Sequence, residues 1–380
     1  MKKILFLQIR DDTNGGIWFV NKTLAESFLK LGYDVKILSI RKAPFNVEDN
    51  TNIDMVTINN KDAWEITHKK DVLIGLKKGI INGIKVFFKW INDNQKLKKD
   101  YIKTQKFIDN YKPDYLVVSH YQVLPSIPKK YLKKTINVHH TSYDMLNIFK
   151  DNKRKLLKLK NKITFIWLSQ NSYKKAIKDG FKNSYYIYNP LKFETDKYSD
   201  VVNNKKLITI ARLSEEKQIP LMIDMVKEIF QKEEYSDWTF DIYGYGPLED
   251  IIKQKTNDRI CFKGVTQNPS DVLLKSSIYL CASKFEGFGL SIVEGYECGL
   301  PAISFDFGEA CKEIILNDKT GFIIEQGDIN SYKKKLEELM KNEDKLKEMS
   351  IEAKKYSLNF HKNKIIDNWL KVFEKIDMKG

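Results

Sequence analysis

Two glutamates, Glu286 and Glu294, stand eight residues apart in the glycine-rich stretch EGFGLSIVEGYECGLP. Paired carboxylates can supply the acid and the base, or the nucleophile, of glycosidic bond chemistry. The segment EGFG cannot continue a regular helix, and we expect a helix to begin near Ser291. Glu286 then lies in a loop and Glu294 in the first helical turn. The two carboxylates therefore cannot face each other across one bond as in a glycosidase.

The expected helix start near Ser291 favours a ligand that carries both phosphates and hydroxyl groups. Free backbone amides at a helix N-terminus bind phosphate, and carboxylates accept hydrogen bonds from hydroxyls. A nucleotide sugar has both kinds of group. The alternative for Glu294 is structural, because Ser291-Ile-Val-Glu294 matches a capping box, in which the glutamate satisfies a backbone amide.

Two cations, Arg212 and Lys217, follow a β-rich run in the stretch LITIARLSEEKQIPLMIDMV. Pro220 marks the start of the helix that comes next. Two cations at a strand end beside a helix N-terminus can clamp a diphosphate. The alternative is that both pair with Glu215 and Glu216 on the surface.

Two glycine pairs mark further strand-to-helix turns. Gly15 and Gly16 follow the first strand, where the missing side chains allow a ligand to approach the backbone. Gly244 and Gly246 follow a strand in IYGYGPLEDII, which alone indicates a tight turn. Neither pair forms the G-x-G-x-x-G pattern, and no acidic residue closes the second strand. A nicotinamide cofactor is therefore disfavoured.

These loops need parallel strands to position them, and the chain alternates β-rich runs with amphipathic helical stretches. The predicted strands are KILFLQI, DVKILSI, YLVVSH, TINVHH and FIWLS in the first half, and KLITIA, WTFDIYG, RICFKG, IYLCAS and PAISFD in the second. Two such series predict two doubly wound α/β domains, with ligands at the carboxyl ends of the strands. The polar segment 187–200, which contains Asn-Pro, separates residues 1–188 from residues 189–361. A final helix at about 362–380 is expected to pack back on the first domain.

The composition is that of a folded protein, since 42% of the 380 residues are hydrophobic and 30% are charged. No run of about eighteen apolar residues is present, and the N-terminal run Ile4–Leu7 is too short for a signal peptide. The four cysteines, Cys261, Cys281, Cys298 and Cys311, form no C-x-x-C pair. Zinc is therefore disfavoured, and a reducing cytoplasm is the expected location.

Positive charge is concentrated in the first half of the chain. Residues 1–188 contain 36 Lys and Arg against 17 Asp and Glu, a net charge of +19, whereas the remainder contains 29 against 33, a net charge of −4. Nucleic acid, an acidic membrane surface and a phosphate-rich substrate are the candidate partners. No RRM, KH or helix-turn-helix signature accompanies the charge, so a nucleic-acid partner is not expected.

Residues 69–106 combine lysines with an apolar helical face. Leu73, Leu76, Ile80, Ile84, Phe87 and Ile91 recur at helical spacing, with Lys70, Lys77, Lys78, Lys85 and Lys89 largely elsewhere around the helix. One interpretation is a peripheral helix on an anionic membrane. The other is that the apolar face packs on the sheet of its own domain. A polyanionic acceptor, such as a phosphate-containing wall polymer, would also explain the charge.

The ordered set of motifs resembles the retaining glycosyltransferases of family 4, which have the GT-B fold of two Rossmann-like domains facing each other across a cleft. Glu286 to Glu294 in FEGFGLSIVE match the E-x7-E motif of that family. ARLSEEK, YGYGP, FKG and GLPAIS follow the family's order and spacing. The resemblance covers essentially the whole chain and is strongest over residues 207–325.

The resemblance implies roles for individual residues. Arg212 and Lys217 would hold the donor diphosphate, Glu294 the ribose and Glu286 the transferred sugar. The remaining donor-binding positions implied are Gly15, Gly16, His140, Gly244, Val265, Gly289, Leu290 and Ser291. His120 and His140 match family histidines beside the donor sugar, with His139 as a competing candidate for the second. Glu286, His120, Arg212 and Lys217 are the catalytic candidates.

The expected activity is transfer of a hexose or N-acetylhexosamine from a UDP-linked sugar to a hydroxyl of a cell-surface glycan, a lipid-linked acceptor or a wall polymer. The family implies retention of anomeric configuration. No metal or other cofactor is expected, because two cations replace one at the diphosphate. The expected location is the cytoplasm, peripheral to the inner face of the membrane. FDFGEACKEII departs from the double glycine and proline common in the family, so the donor sugar stays open.

Three alternatives to a transferase remain. A non-catalytic GT-B partner subunit is disfavoured because the four residues that would bind the donor are intact. A basic nucleic-acid-binding protein lacks a supporting signature. A phosphorylase or epimerase with the same fold would differ in its products.

Overall fold

The computed structural model describes residues 1–10, 15–42, 52–62, 80–148 and 150–378. Their strands form two separate sheets, in which every strand pairing is parallel. The first sheet has the order β3-β2-β1-β4-β5-β6-β7 and the second β10-β9-β8-β11-β12-β13. In both sheets the strand order reverses about the first strand of the series. Each sheet is thus doubly wound, as the alternating pattern predicts.

The first sheet and the helices around it come from the first half of the chain. The strands are β1 (Lys3–Arg10), β2 (Asp34–Lys42), β3 (Asp54–Asp62), β4 (Tyr115–Val118), β5 (Thr135–His139), β6 (Thr164–Trp167) and β7 (Ser184–Tyr186). The helices are α1 (Gly16–Lys30), α2 (Ile80–Tyr111), α3 (Tyr143–Ile148), α4 (Lys150–Leu157) and α5 (Gln170–Lys178). All residues of β4, β5 and β6 are buried, as expected for central strands covered on both faces.

The second sheet has its own helices. The strands are β8 (Lys206–Ile210), β9 (Thr239–Tyr243), β10 (Ile260–Gly264), β11 (Ile278–Cys281), β12 (Ala302–Phe305) and β13 (Gly321–Ile324). The helices are α6 (Ile219–Ile229), α7 (Glu249–Lys255), α8 (Pro269–Leu273), α9 (Leu290–Glu297), α10 (Cys311–Ile314), α11 (Ile329–Lys341), α12 (Glu343–Ser357) and α13 (Lys362–Asp377). No helix within the described residues is long and apolar enough to cross a membrane. The four cysteines are free.

The last helix, α13, crosses from the second domain to the first. The Phe373 ring stacks on Tyr115 of β4, with ring centroids 4.0 Å apart and planes 7° from parallel. Phe373 and Trp369 also contact Phe28 of α1. The buried face of α13 is apolar, so burial against α1 and β4 stabilises this crossing helix.

A buried carboxylate ties this crossing to the linker between the sheets. Glu297, the last residue of α9, is fully buried. Its carboxylate accepts hydrogen bonds from the amide of Thr195 at 2.8 Å, the hydroxyl of Ser357 at 2.6 Å and the ammonium of Lys354 at 2.9 Å, and it contacts His361 Nε2 at 2.9 Å. Although burial raises the pKa of Glu297, these bonds lower it overall. The hydrogen-bonded carboxylate of Glu297 thus holds the linker, α12 and the start of α13 at the C-terminal end of α9.

The two domains meet where the carboxyl ends of their strands face each other. A Cβ atom built on Gly287, in the loop after β11, would lie only 1.8 Å from the carbonyl oxygen of His140, which follows β5. Glycine is therefore required for this approach, since any side chain would overlap with the backbone of the other domain. The contact joins the EGFG segment to the loop NVHHTS and closes one end of the interdomain cleft.

Candidate functional site

Lys217 and Glu286 meet in the cleft although 69 residues separate them in the chain. Lys217 ends the turn after β8, and Glu286 lies in the loop after β11, the strand beside β8 in the sheet. Their side chains form an ion pair, and both are largely buried. The hydroxyl of Ser283 donates a second hydrogen bond to Glu286 at 2.8 Å. The expected alternative, in which Lys217 pairs with Glu215 or Glu216, is wrong.

Two hydrogen bonds join these two loops, and a third holds the Glu286 loop from its other side. The side-chain amide of Gln218 donates to the carbonyl of Ala282 at 3.1 Å, and the backbone amide of Lys284 donates to the carbonyl of Glu216 at 2.8 Å. From the other side, the side chain of Gln326 donates to the carbonyl of Ser283 at 2.7 Å. The loop that carries Glu286 is thus fixed on both flanks before any ligand binds.

Arg212 lies two residues after the end of β8, and its side chain is exposed. No ion pair of its guanidinium lies within the part of the chain that the structure describes. The carboxylate of Glu216 instead accepts a hydrogen bond from the hydroxyl of Ser214 at 2.6 Å. A charged, exposed guanidinium next to Lys217 stays available to an anion.

The turns at Gly244 and Gly246 support the loop that carries Arg212. A Cβ atom on Gly244 would lie 1.8 Å from the carbonyl oxygen of Ala211, and one on Gly246 would lie 2.5 Å from that of Leu213. Only glycine permits this approach. Packing therefore explains why Gly244 is a glycine, as the tight-turn pattern predicts; the donor-binding role that the resemblance implies for it stays a prediction. Val265, which follows β10, is exposed at the end of the sheet where its strands finish.

Helix α9 begins four residues after Glu286, the partner of Lys217, and its N-terminus does not form the expected capping box. The residue before the helix is Gly289, in the left-handed conformation with φ of 92°, and no side chain caps the helix. The hydroxyl of Ser291 bonds instead to the phenol of Tyr279, which donates to the carbonyl of Ile210 at 2.9 Å. The capping-box interpretation is therefore wrong. The backbone amides of Leu290 and Ser291, in the first turn, face the same end of the sheet as Lys217.

Glu294 lies on α9 and is 7% exposed. Within the described residues, no hydrogen bond reaches its carboxylate. Burial raises the pKa of Glu294 to about 7, against the opposing positive charge of Lys192. Lys192 Nζ itself lies 3.6 Å from the centre of the Phe19 ring, on α1 of the other domain. A buried carboxylate that satisfies no backbone amide is available to a ligand's hydroxyl groups.

Three histidines lie on the first domain's side of the cleft. His139 is satisfied, because its Nε2 lies 2.9 Å from the hydroxyl of Thr141. In contrast, His120 Nδ1 and His140 Nε2 are buried with no hydrogen-bond partner among the described residues. Burial lowers the pKa of His120 to about 4, with a further contribution from Arg10, and that of His140 to about 3. The unsatisfied nitrogen atoms distinguish His120 and His140 from the structural His139.

Gly15 and Gly16 start α1 at the same edge of the first sheet. Gly15 is the extended residue before the helix, and because glycine has no side chain it cannot cap the helix. A Cβ atom on Gly16 would meet no atom within 4 Å, so the space beside it is open. Residues 11–14, which precede the pair, lie outside the described residues.

The structure also adds residues that no motif indicated. Gln326, Ser283 and Lys192 each contact a loop or residue of the cleft, but they belong to no spacing pattern in the sequence. Ser283 and Gln326 meet the cleft because β8, β11 and β13 end at one edge of the second sheet, whereas Lys192 lies in the linker between the sheets. Among the described residues, no cluster of three or more His, Cys, Asp or Glu side chains could hold a metal ion.

Known proteins resemble this chain in sequence. Residues 192–356 match the family model for glycosyl transferases group 1. The chain is 26% identical over 250 residues, 62% of its length, to the poly(ribitol-phosphate) alpha-N-acetylglucosaminyltransferase of Staphylococcus aureus, of which the match covers 49%. It is 29% identical over 170 residues, 43% of its length, to the poly(glycerol-phosphate) alpha-glucosyltransferase of Bacillus subtilis, of which it covers 25%. The chain thus spans half or less of these two relatives.

Two solved structures share the fold over nearly the whole chain. A variant of S. aureus TarM in complex with fondaparinux, alpha-GlcNAc-glycerol and UDP gives a TM-score of 0.75 at 16% identity, covering 98% of this chain and 100% of that one. Anabaena HepE in complex with UDP and glucose gives 0.74 at 17% identity, covering 98% and 100%. The chain therefore has the GT-B glycosyltransferase fold, and its residues 192–356 match the glycosyl transferases group 1 model.

Proposed function

We propose that this chain is a retaining glycosyltransferase of family 4 that transfers a sugar from a UDP-linked donor to a hydroxyl group of a phosphate-containing wall polymer or related glycan. The observation that carries the proposal is the meeting of Lys217, Glu286 and the uncapped N-terminus of α9 in one cleft, with buried Glu294 on the same helix. These groups match, in type and order, the parts of a nucleotide sugar.

The donor diphosphate is assigned to the cations and the helix start. Arg212 and Lys217 would pair with its oxygens, and the amides of Leu290 and Ser291 would donate hydrogen bonds to them. The diphosphate gains negative charge as the glycosidic bond breaks. Preorganised positive groups stabilise that charge in the transition state, so no metal ion is needed for this step.

Donor binding has to rearrange the ion pair between Lys217 and Glu286. A diphosphate beside Lys217 would compete with Glu286 for the ammonium group and free that carboxylate to accept hydrogen bonds from the sugar's hydroxyls. Ser283 would keep the Glu286 side chain in place through its hydrogen bond. Glu294 is assigned to the ribose hydroxyls.

His120 and His140 are assigned to the donor sugar's other face. With their pKa values lowered by burial, both are neutral at pH 7. A neutral imidazole can donate through one ring nitrogen and accept through the other, so each can bond a sugar hydroxyl. Retention of configuration follows from family precedent, with the donor phosphate assisting deprotonation of the acceptor.

The relatives support the choice of nucleotide and acceptor. UDP is present in the TarM and HepE complexes, and the curated relatives act on poly(ribitol-phosphate) and poly(glycerol-phosphate). A polyanionic acceptor also agrees with the net charge of +19 on residues 1–188. The sugar is proposed to be a hexose or N-acetylhexosamine.

The proposal can be tested with purified protein and a panel of UDP-, GDP- and ADP-sugars. The expected result is saturable binding and slow hydrolysis of one UDP-sugar, accelerated by a poly(alditol phosphate) acceptor. Proton NMR of the product would show the anomeric configuration of the donor. Binding of no nucleotide sugar would refute the proposal, and a product that forms only with inorganic phosphate would indicate a phosphorylase.

Helix α2 favours a membrane-surface location. Its buried residues, Asp93, Asp100, Thr104, Ile108 and Tyr111, lie on one side. Phe88 is 65% exposed and Phe87 43%, and the lysines of residues 85–106 are exposed as well, so the exposed residues of the helix are both apolar and basic. Ile84 and Phe87, two residues of the predicted apolar face, are 48% and 43% exposed, so this part of the face is not buried against the sheet. Residues 69–79 of the predicted segment lie outside the described residues.

We therefore propose that α2 binds the anionic inner face of the cell membrane, in the cytoplasm, through this apolar and basic side. Co-sedimentation with phosphatidylglycerol vesicles at low salt should decrease when Phe87 and Phe88 are both replaced by serine. Leu358→Ser, another exposed apolar residue, is the matched control. The proposal would be contradicted if the Phe87 and Phe88 double variant bound as well as the Leu358→Ser control, or if wild type did not bind.

A further inference from the structure

A second contact between the domains is made by carboxylates on either side of Cys311. Glu309 precedes helix α10 and Glu313 lies within it. The carboxylate of Glu313 accepts hydrogen bonds from the backbone amides of Gln170 and Asn171, both at 2.7 Å. These residues begin α5 of the first domain. One domain therefore satisfies the free amides at the N-terminus of a helix in the other, where negative charge is also favoured.

Glu309 makes a parallel set of bonds. Its carboxylate is buried and accepts a hydrogen bond from the backbone amide of Tyr143, the first residue of α3, at 2.6 Å. The hydroxyl of Ser172 donates to it as well, and Lys175 Nζ lies 2.7 Å away as an ion pair. All of these partners belong to the first domain. If the domains separated, water would replace all of these partners of the Glu309 carboxylate.

These carboxylates are also connected to the turn that begins α9. A Cβ atom on Gly289 would lie 2.7 Å from Ile314 Cδ1 and 3.1 Å from the ring of Phe307. Ile314 follows Glu313, and Phe307 lies two residues before Glu309. The position of the first domain is thus transmitted through packed side chains to the turn at Gly289.

We propose that Glu309 and Glu313, the latch, are positioning residues that hold the domains closed and fix the Gly289 turn for the donor diphosphate. The second half of this statement rests on the proposed function of that turn. The latch touches neither donor nor acceptor. Its effect is on the fraction of molecules in the closed state, and apparent donor affinity falls in proportion to that fraction.

The first test is Glu313→Gln, in which an amide replaces one of the two accepting oxygens. Loss of one charge-assisted hydrogen bond shifts an equilibrium by about tenfold. We therefore expect the donor-free protein to show a larger radius of gyration in small-angle X-ray scattering. The KM for the donor should rise as the closed fraction falls, by at most about tenfold, while kcat changes less than twofold, because bound donor closes the cleft in both proteins. Glu348→Gln, an exposed carboxylate of α12, is the charge-matched control.

The second test acts from the other domain. Gln170→Pro removes one amide that Glu313 accepts from, and proline is well tolerated at the first helical position. The extended backbone of Ser169, with φ of −145° and ψ of 152°, is compatible with a following proline. The donor site is untouched, so the same changes in radius of gyration and KM are expected.

The proposal is overturned if both variants keep the wild-type radius of gyration, or if kcat falls while KM stays constant. An unfolded Glu313→Gln protein leaves the decision to Gln170→Pro. The scattering comparison needs no substrate, so it decides domain closure even if no UDP-sugar binds. Absence of UDP binding by wild type would instead refute the proposed function.

Discussion

Glu294 is expected to destabilise the donor-free protein above neutral pH. Burial raises its pKa from 4.5 to about 7, so the folded protein holds this proton more tightly than the unfolded chain does. The stability that the protonated group provides is fully present below pH 4.5 and is lost as the pH rises through 7. Glu294→Gln removes the titration while keeping the size and shape of the side chain.

The size of the effect follows from the shift. The pKa is raised by about 2.5, and a pKa difference of one corresponds to roughly 1.4 kcal/mol. The resulting loss of folding stability is about 3 kcal/mol at pH 8 and about 1 kcal/mol at pH 5. Glu294 is 7% exposed, so solvent screening reduces this little. For a domain of this size, about 3 kcal/mol corresponds to roughly 6–12 °C in Tm. Burying the new amide has a cost that does not depend on pH, so it changes the Tm difference by the same amount at every pH.

Differential scanning calorimetry of wild type and Glu294→Gln between pH 5 and pH 8 measures this difference. The Tm of the variant minus that of wild type should increase as the pH rises from 5 to 8. Glu286→Gln is the matched control, because Glu286 is paired with Lys217 and its loss leaves a partly buried ammonium without a partner. A Tm difference for Glu294→Gln that does not change with pH, or that falls towards pH 8, would refute the reasoning.

The same two variants separate the roles of the glutamates: Glu294→Gln should weaken UDP binding about tenfold in calorimetric titration, whereas Glu286→Gln should mainly lower kcat, and equal effects would contradict the division. Lys217→Ala and Arg212→Ala should each lower kcat by about 10²- to 10³-fold, and near-normal turnover would argue against the diphosphate clamp. Gly287→Ala should lower transfer strongly, because its Cβ atom would overlap with the carbonyl oxygen of His140 in the other domain; wild-type activity would show that this contact is dispensable. Prolonged treatment with EDTA should leave transfer unchanged, and a loss that Mg²⁺ restores would show that a metal takes part.

Most of the fold was predictable because the central strands carry their own signal. All ten predicted strands are present, and those at the sheet centres are apolar on both faces, as parallel sheets require. The strands β3, β7 and β13 were not predicted. They lie at sheet edges, where β3 is polar and β7 and β13 have only three and four residues. Edge position removes the need for an apolar face in β3, and three residues are too few for β7 to show a period of two; neither reason applies to β13, which is apolar.

The helix that carries E-x7-E shows where local patterns mislead. Ser291 and Glu294 have the spacing of a capping box, but the hydroxyl of Ser291 bonds to Tyr279 of the neighbouring strand instead. Gly289 precedes the helix in a left-handed conformation, and Phe307 and Ile314 occupy the space that a side chain would need. Neither contact can be read from adjacent residues. Tertiary packing therefore overrides the local preference, and it leaves Glu294 available to a ligand.

The sequence by itself determined the two parallel α/β units, the strand ends at which chemistry is placed, and the residue types there. Periodicity and residue type are local properties, and short segments express them independently. Only the tertiary structure decided which of these residues meet. It pairs Lys217 with Glu286, leaves His120 and His140 unsatisfied while satisfying His139, and brings Glu313 to a helix of the other domain. These contacts depend on strand order and domain orientation, which arise from burial summed over the whole chain.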